Sequence, residues 1–170
     1  YKGSDFQAYR ALRTKDNLQV VLKVLGPSTH FSIQKDLYRK DYEISRSFNS
    51  ESVVRPYGLE KSQDNLVMIL EDFGGEFVPS LVSGGELSIP DILSLSIKAS
   101  EVLDNIHHLG ITHKNIRSSN FIYNPSTGWL KITGFGISTK LAQETPGTLD
   151  PNIMAEILPY MSPEQTGRLN

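Results

Sequence analysis

Two short stretches of the sequence carry side chains that could handle phosphate groups. Lys23 lies in the apolar run VVLKVL, where a strand would hold its ammonium group as the fixed positive charge that suits a triphosphate. The stretch THKNIRSSN contains His113, Asn115 and Asn120. An amide cannot accept a proton at neutral pH, so Asn115 cannot act as a general base. Phosphate binding or transfer is therefore the candidate chemistry, and Asn115 supplies no proton acceptor for it.

The first half of the sequence predicts strands with one helix among them. Residues Tyr9 to Arg13 and Gln19 to Leu25 are strand-like runs joined by a polar turn, which favours a hairpin. From Phe31 to Phe48, apolar residues recur at spacings of four, seven and four, which places them on one helical face. Residues 52–60 and 65–73 are two further strand candidates, separated by a polar turn.

A linker and a long helix are predicted next. The stretch from Pro79 to Gly85 is rich in glycine and serine, so we expect a loop there that separates two parts of the chain. Ser88 and Asp91 form a capping-box pattern, and an apolar stripe then runs to Leu109 and stops before a glycine. These signals predict a helix that begins after Ser88.

The end of the chain predicts a hairpin and a loop. Two apolar runs, NFIYN and WLKIT, flank the turn PSTG, and residues 137–170 contain four prolines, which indicates a loop. The order is then five strand candidates with a helix after the third, a linker, a long helix, and a loop with a hairpin. This order resembles the eukaryotic-type protein kinase fold. The resemblance implies an α+β, two-lobed structure with an antiparallel-sheet N-lobe at residues 1–75. A helical C-lobe at residues 76–170 would stop after the activation segment.

Three motifs in the right order carry most of this resemblance. HKNIRSSN is similar to the family's His-Arg-Asp catalytic loop, with His113 and Asn120 at the correct separation. ITGFG follows where the family has the metal-binding Asp-Phe-Gly, and YMSPEQTGRLN looks like the end of the activation segment. Lys23 looks like the phosphate-binding lysine, with Asp41 where the family has its glutamate. Because aspartate is one methylene shorter, we expect this ion pair to be stretched or absent.

The resemblance also implies a nucleotide site between the two lobes. Leu70 would be the gatekeeper, and the backbones of Glu71 and Phe73 would face an adenine. The other residues that the resemblance assigns to this site are Gly3, Val21, Lys23, Asp41, Asn120 and Ile122.

The sequence departs from the family at the positions that do chemistry. Asn115 replaces the catalytic aspartate, and Gly134 replaces the aspartate that binds metal, so that Asn120 is the one metal ligand left. Of the three glycines that let backbone N–H groups approach phosphates, Gly3 alone remains, and Phe6 stands at the third position. We therefore expect ATP to bind weakly at best, and Mg²⁺ to bind weakly or not at all.

Three functional hypotheses follow from these departures. The first is a pseudokinase with a regulatory or interaction role, whose partners are other domains of the same polypeptide or signalling proteins. PYMSPEQTGRLN and NPSTGWLKI resemble the N-terminal kinase-like domains of large hybrid sensor histidine kinases of fungi and cyanobacteria, which implies a phosphorelay setting. The alternative is a weakly active serine/threonine kinase with non-standard metal ligation. The third is a domain that binds ATP as a structural ligand without turnover.

The composition limits the classes of partner. The 170 residues carry a net charge of −2, which gives no bulk attraction to nucleic acid. No apolar run approaches the roughly 18 residues that span a bilayer, and the absence of cysteine excludes disulfides and thiol nucleophiles. We therefore expect a cytoplasmic setting without nucleic acid. Thr145 and Thr148 could be phosphorylated, with Lys114 as the nearby charge, but a plain flexible loop is the better explanation.

Overall fold

The first part of the chain is an antiparallel sheet of four strands. The computed structural model describes residues 6–27, 31–85, 87–140 and 151–163. The strands are β1 (Gln7–Arg13), β2 (Leu18–Leu25), β3 (Pro56–Ser62) and β4 (Asn65–Glu71), side by side in the order β1-β2-β4-β3. All three pairs are antiparallel, so the predicted hairpin of β1 and β2 is confirmed.

One helix, α1 (Phe31–Ser47), packs against this sheet. Tyr38, Asp41 and Ser45 are buried on its inner side, and the hydroxyl of Tyr38 donates to the carbonyl of Lys23 at 2.5 Å, which holds the helix on β2. The expectation of five strands with the helix after the third is wrong for the described residues. Four strands form the sheet there, and α1 follows the second strand.

The second part of the chain combines helices with short strands. Its elements are β5 (Glu76–Phe77), α2 (Val78–Ser83), α3 (Ile89–His108), β6 (Ile111–Thr112), β7 (Phe121–Asn124), β8 (Trp129–Ile132), β9 (Thr139–Lys140) and α4 (Pro151–Ile157). Strands β5, β7 and β8 form one antiparallel sheet, and β6 pairs with β9. The predicted capping box is present, because Ser88 and Asp91 each accept a hydrogen bond from the other's backbone N–H.

Two stretches that were predicted as loops contain helices. The first is Pro79 to Gly85, most of which belongs to α2, because proline is tolerated in a first helical turn and Leu81 is buried. The second is the proline-rich tail, which contains β9, α4 and a short 3-10 helix at Leu158–Tyr160. Pro151 begins α4, so this proline starts a helix and does not interrupt one.

Two apolar clusters form the core of the described residues, and both join the two parts of the chain, since Val53 belongs to the second cluster. The first contains Leu66, Met68 and Leu70 of β4 together with Phe77 and Ile122 from the second part. The second cluster lies under α3, the β7–β8 hairpin and Phe135. Residues 52–54 add a backbone link, because the N–H of Val54 donates to the carbonyl of Ile132 at 3.0 Å. Within the described ranges, no helix is long and apolar enough to cross a membrane.

Candidate functional site

The centre of the site is a buried ion pair between Lys23 on β2 and Asp41 on α1. The Lys23 Nζ to Asp41 Oδ2 distance is 3.0 Å, and the two residues are 4% and 3% exposed. The expectation that the shorter aspartate would leave this pair stretched or absent is therefore wrong. Glu43, two residues further on, has an exposed side chain close to Arg46, so it does not take part.

Close packing of α1 explains why the shorter side chain reaches. A Cβ atom at Gly136 would lie 2.8 Å from the carbonyl oxygen of Leu37, so only glycine lets α1 approach the segment after β8 this closely. The carboxylate of Asp41 also accepts from the backbone N–H of Phe135 at 2.8 Å and from the hydroxyl of Ser45 at 3.2 Å. Both oxygens of the buried carboxylate thus have partners.

Aromatic rings surround the ammonium group of Lys23. Its Nζ atom lies 4.7 Å from the ring centroid of Phe6 and 5.3 Å from that of Tyr38. The Phe6 ring also contacts Phe77, at a centroid distance of 5.7 Å. Burial of the Tyr38 hydroxyl raises its pKa well above the usual value, so the ring stays neutral. A phosphate group could reach Lys23 from this side only if Phe6 moved away.

His113 is a packing residue beneath the site. Its ring is fully buried and meets the ring of Phe135 edge-on, with centroids 4.6 Å apart, and Phe135 in turn contacts Phe48 of the first part, at a centroid distance of 5.1 Å. The Nδ1 atom accepts from the backbone N–H of Asn115 at 3.2 Å, and Nε2 lies 3.2 Å from the carbonyl oxygen of Thr133. Burial lowers the pKa of His113 to about 4, so the ring is neutral at pH 7 and Nε2 is the donor.

Asn115, Asn120 and Gly134 come together at the positions of the missing acids. The Nδ2 of Asn120 donates to the carbonyl of Asn115 at 2.7 Å. Gly134 has a φ of +92°, and a Cβ atom there would lie 2.7 Å from Oδ1 of Asn120. The amide of Asn120 thus occupies the space that a side chain at position 134 would need. The side-chain oxygen of Asn115 is buried and has no hydrogen-bond partner among the described residues.

A divalent metal would find few suitable ligands at this place. Magnesium prefers anionic oxygen ligands in an octahedral arrangement. Here the nearest groups are the neutral amides of Asn115 and Asn120, while the carboxylate of Asp41 already has three donors. In the part of the chain that the structure describes, no group of three or more histidine, cysteine, aspartate or glutamate residues is arranged to hold a metal ion.

The strand end after the gatekeeper position makes its hydrogen bonds within the protein. Leu70 is buried opposite Val21 in the sheet register. The N–H of Glu71 donates to the carbonyl of Arg55 at 2.9 Å. The carbonyl of Phe73 accepts from Nδ2 of Asn124 at 2.7 Å. One backbone group of each residue that was expected to face an adenine therefore already has a protein partner, although a carbonyl oxygen can accept a second bond.

The adenine side of the site is filled by apolar side chains. Ile122 belongs to the same cluster as Leu70 and Phe77, and Val21, Phe6 and Phe73 pack against that cluster. Gly3 lies outside the described residues, as do Thr145 and Thr148.

Sequence analysis missed one contact across the mouth of the site. Arg10 on β1 donates through Nε to Asp72 at 3.0 Å, through Nη1 to Glu76 at 2.7 Å, and through Nη2 to the carbonyl of Gly75 at 2.8 Å. The hydrogen bond to Glu76 and the charge of Asp72 raise the pKa of Arg10 above its usual value. They are more than sixty residues away in the sequence, and no local pattern connects them. The contact holds β1 against the segment that joins the two parts.

Comparison with known proteins agrees with this geometry. The family model for the protein kinase domain matches residues 2–169. The chain belongs to the protein kinase domain family. The antiparallel sheet of the first part and the helices of the second thus correspond to the two lobes of the protein kinase fold.

Several known kinases are similar to this kinase domain. A serine/threonine-protein kinase of Corynebacterium efficiens is 30% identical over 157 residues, which is 86% of this chain and 29% of that protein. The serine/threonine-protein kinase PknA of Mycobacterium tuberculosis is 26% identical and covers 96% of this chain and 39% of its own length. The MAP kinase kinase MKK1/SSP32 of Saccharomyces cerevisiae is 26% identical over 85% of this chain. The kinase domain described here therefore spans well under half of these relatives.

Proposed function

We propose that this kinase domain is catalytically impaired and serves as a regulatory or interaction module in a multidomain signalling protein. One observation carries the proposal: Asn115 and Gly134 stand where a proton acceptor and a metal ligand are needed, and Asn120 occupies the space beside Gly134. The loss of a general base alone costs roughly 10² to 10⁴-fold in rate. Without a carboxylate for magnesium, stabilisation of the developing phosphate charge is lost as well.

The retained contacts support a role for the shape of the domain. The apolar cluster around Leu70, Phe77 and Ile122 and the contact of Phe48 with Phe135 connect the two lobes without any ligand. The resemblance to kinase-like domains of hybrid sensor histidine kinases makes a phosphorelay protein the proposed setting. If the flanking sequence encodes no sensor domain and no histidine kinase core, that setting is wrong. Catalytic impairment of this domain would be unaffected by that result.

One observation favours a second candidate, a weakly active serine/threonine kinase. The Lys23–Asp41 ion pair is intact, and Asp41 also holds the backbone N–H of Phe135. In active kinases the equivalent lysine–glutamate pair must be in place for phosphoryl transfer. Positioning alone contributes to this reaction, so some turnover is compatible with this pair.

Phosphoryl transfer from labelled ATP, measured with the full-length protein and Mg²⁺ or Mn²⁺, tests the proposal, and the second candidate predicts slow turnover that Lys23→Met abolishes. The proposal predicts turnover at least about a hundredfold below the roughly 1 to 100 per second of ordinary kinases. Turnover within that range, abolished by Lys23→Met, would show that the domain is an active kinase.

A third role, ATP as a structural ligand, depends on access to Lys23. Because Phe6 covers the ammonium group, we expect ATP to cause little or no thermal stabilisation of the wild type. Phe6→Gly should expose Lys23 and produce a larger shift with millimolar ATP, without Mg²⁺. Phe6→Leu is the matched control, since it keeps an apolar cover. Equal shifts in wild type, Phe6→Leu and Phe6→Gly would contradict the idea that Phe6 controls access.

A further inference from the structure

A cavity lies away from the candidate nucleotide site. It is formed where the 51–54 segment, α3 and the β7–β8 hairpin meet, and its volume is about 220 Å³. Neither Lys23 nor any other residue of the candidate nucleotide site lines it. Sites for drug-sized ligands have volumes of roughly 300 to 1,000 Å³, so this cavity has the size for one side chain of a partner.

The cavity has an apolar floor and a charged, aromatic rim. The buried residues Val102 and Leu130 line the floor. Trp129 forms part of the rim and is 54% exposed. Tryptophan is the aromatic residue that most often dominates protein interfaces and is the best partner for a cation over a ring face. The carboxylates of Glu51 and Glu101 stand at the same rim, and both residues are exposed.

The charges around the cavity leave room for one additional cation. Its lining carries Glu51, Glu101 and Lys98, which is a net charge of −1. The ammonium of Lys131 lies 5.4 Å from the Trp129 ring and 3.4 Å from Glu51, but Glu71 is closer to it, at 2.8 Å, and balances its charge. This buried lysine thus lies near both the Trp129 ring and the Glu51 carboxylate, although its nearest ring is that of Phe73, at 5.0 Å.

From these features we infer that the cavity binds an arginine side chain of a partner protein. A guanidinium group is planar, stacks on an indole ring and pairs with carboxylates, whereas an ammonium group offers only a compact, strongly hydrated charge. The three methylenes of arginine would lie along Val102 and Leu130. The inference rests on the proposed interaction role, for which it names a surface and the chemistry of the partner.

An arginine in this cavity would contact both lobes. The hydroxyl of Ser52 accepts from Nδ2 of Asn105 on α3 at 3.0 Å, and the backbone of Ser52 accepts from Ile132 on β8 at 2.8 Å. The cavity therefore lies against the junction that joins the N-lobe to α3 and the hairpin. Occupancy should stabilise this junction, because a ligand that binds only the folded arrangement shifts the equilibrium toward it.

The fluorescence of Trp129, the single tryptophan of the sequence, reports directly on this cavity. The probe is the peptide acetyl-Gly-Arg-Gly-amide, compared with the same peptide carrying citrulline, which has the shape of arginine without its charge, and with a lysine peptide. We expect a saturable change with the arginine peptide and binding about tenfold weaker with citrulline. Glu51→Gln and Glu101→Gln should each weaken binding by about two- to fivefold.

Glu60→Gln is the matched control, because Glu60 is equally exposed on β3 and does not line the cavity. This variant should bind the arginine peptide as the wild type does. Equal binding of the arginine and citrulline peptides, or of the arginine and lysine peptides, would overturn the inference. So would the absence of a saturable change at tens of millimolar peptide, or full affinity in both cavity variants. None of these outcomes bears on phosphoryl transfer, so the proposed catalytic impairment is tested separately.

Discussion

Adding a single methyl group at Gly134 tests whether the metal position is closed. In Gly134→Ala, a residue other than glycine must adopt a φ of +92°, which costs about 1–2 kcal/mol. The new Cβ would lie 2.7 Å from Oδ1 of Asn120, so this amide must move. Moving it breaks the bond from Nδ2 to the carbonyl of Asn115, and a buried polar group left unpaired costs about 1–3 kcal/mol. We therefore expect a loss of about 2–5 kcal/mol in the free energy of unfolding.

Gly110→Ala separates strain from the steric clash. Gly110 has a φ of +73°, and nothing lies within 4 Å of its Cβ position. This variant should lose about 1–2 kcal/mol, from strain alone. Urea unfolding followed by circular dichroism gives both values, provided that the m-value is unchanged. Equal losses in the two variants would refute the claim that Asn120 occupies the space beside Gly134. If Gly134→Ala loses more than Gly110→Ala, an aspartate at position 134 must meet the same clash with Asn120. Gly134→Asp should then create no metal site unless Asn120 is also changed.

Three further predictions concern the core of the site and the long helix. Asp41→Ala leaves the buried ammonium of Lys23 unpaired and should cost about 3–5 kcal/mol, and the double variant with Lys23→Met should recover part of this loss in a double-mutant cycle. Because the pKa of His113 is lowered from 6.5 to about 4, the unfolded chain takes up a proton before the folded chain does. Stability should therefore fall by about 3 kcal/mol between pH 6.5 and pH 4, and the difference between wild type and His113→Leu, measured by urea unfolding, should show this slope; a constant difference would contradict it. Ser88→Ala removes the helix cap and should lower the unfolding free energy by about 1 kcal/mol, whereas the exposed Ser96→Ala should change little.

The elements with strong local signals were predictable from the sequence. The capping box at Ser88 and Asp91 marked the start of α3, and the alternating runs marked the strands of the first sheet. The helix α2 was missed because its two serines and the two glycines that follow it favour a loop, and burial of Leu81 outweighs that preference.

The residue types of the candidate site were also predictable, but their distances were not. The resemblance to the kinase family identified Asn115 and Gly134 as neutral residues at the positions of two aspartates. It could not show that the short side chain of Asp41 reaches Lys23, because this depends on how closely α1 approaches the segment at Gly136. The position of the Phe6 ring over Lys23 depends equally on tertiary packing. Such contacts between distant residues carry no local sequence signal.

Electron paramagnetic resonance of Mn²⁺, titrated into the protein with ATP present, tests the central claim most directly. The claim is that a metal–nucleotide complex has no binding site here, because positions 115 and 134 carry no carboxylate. We predict that the Mn²⁺ signal with ATP is the same in the presence and absence of the protein. A stoichiometric, protein-dependent Mn²⁺–ATP complex that is abolished by Asn120→Ala would contradict the account.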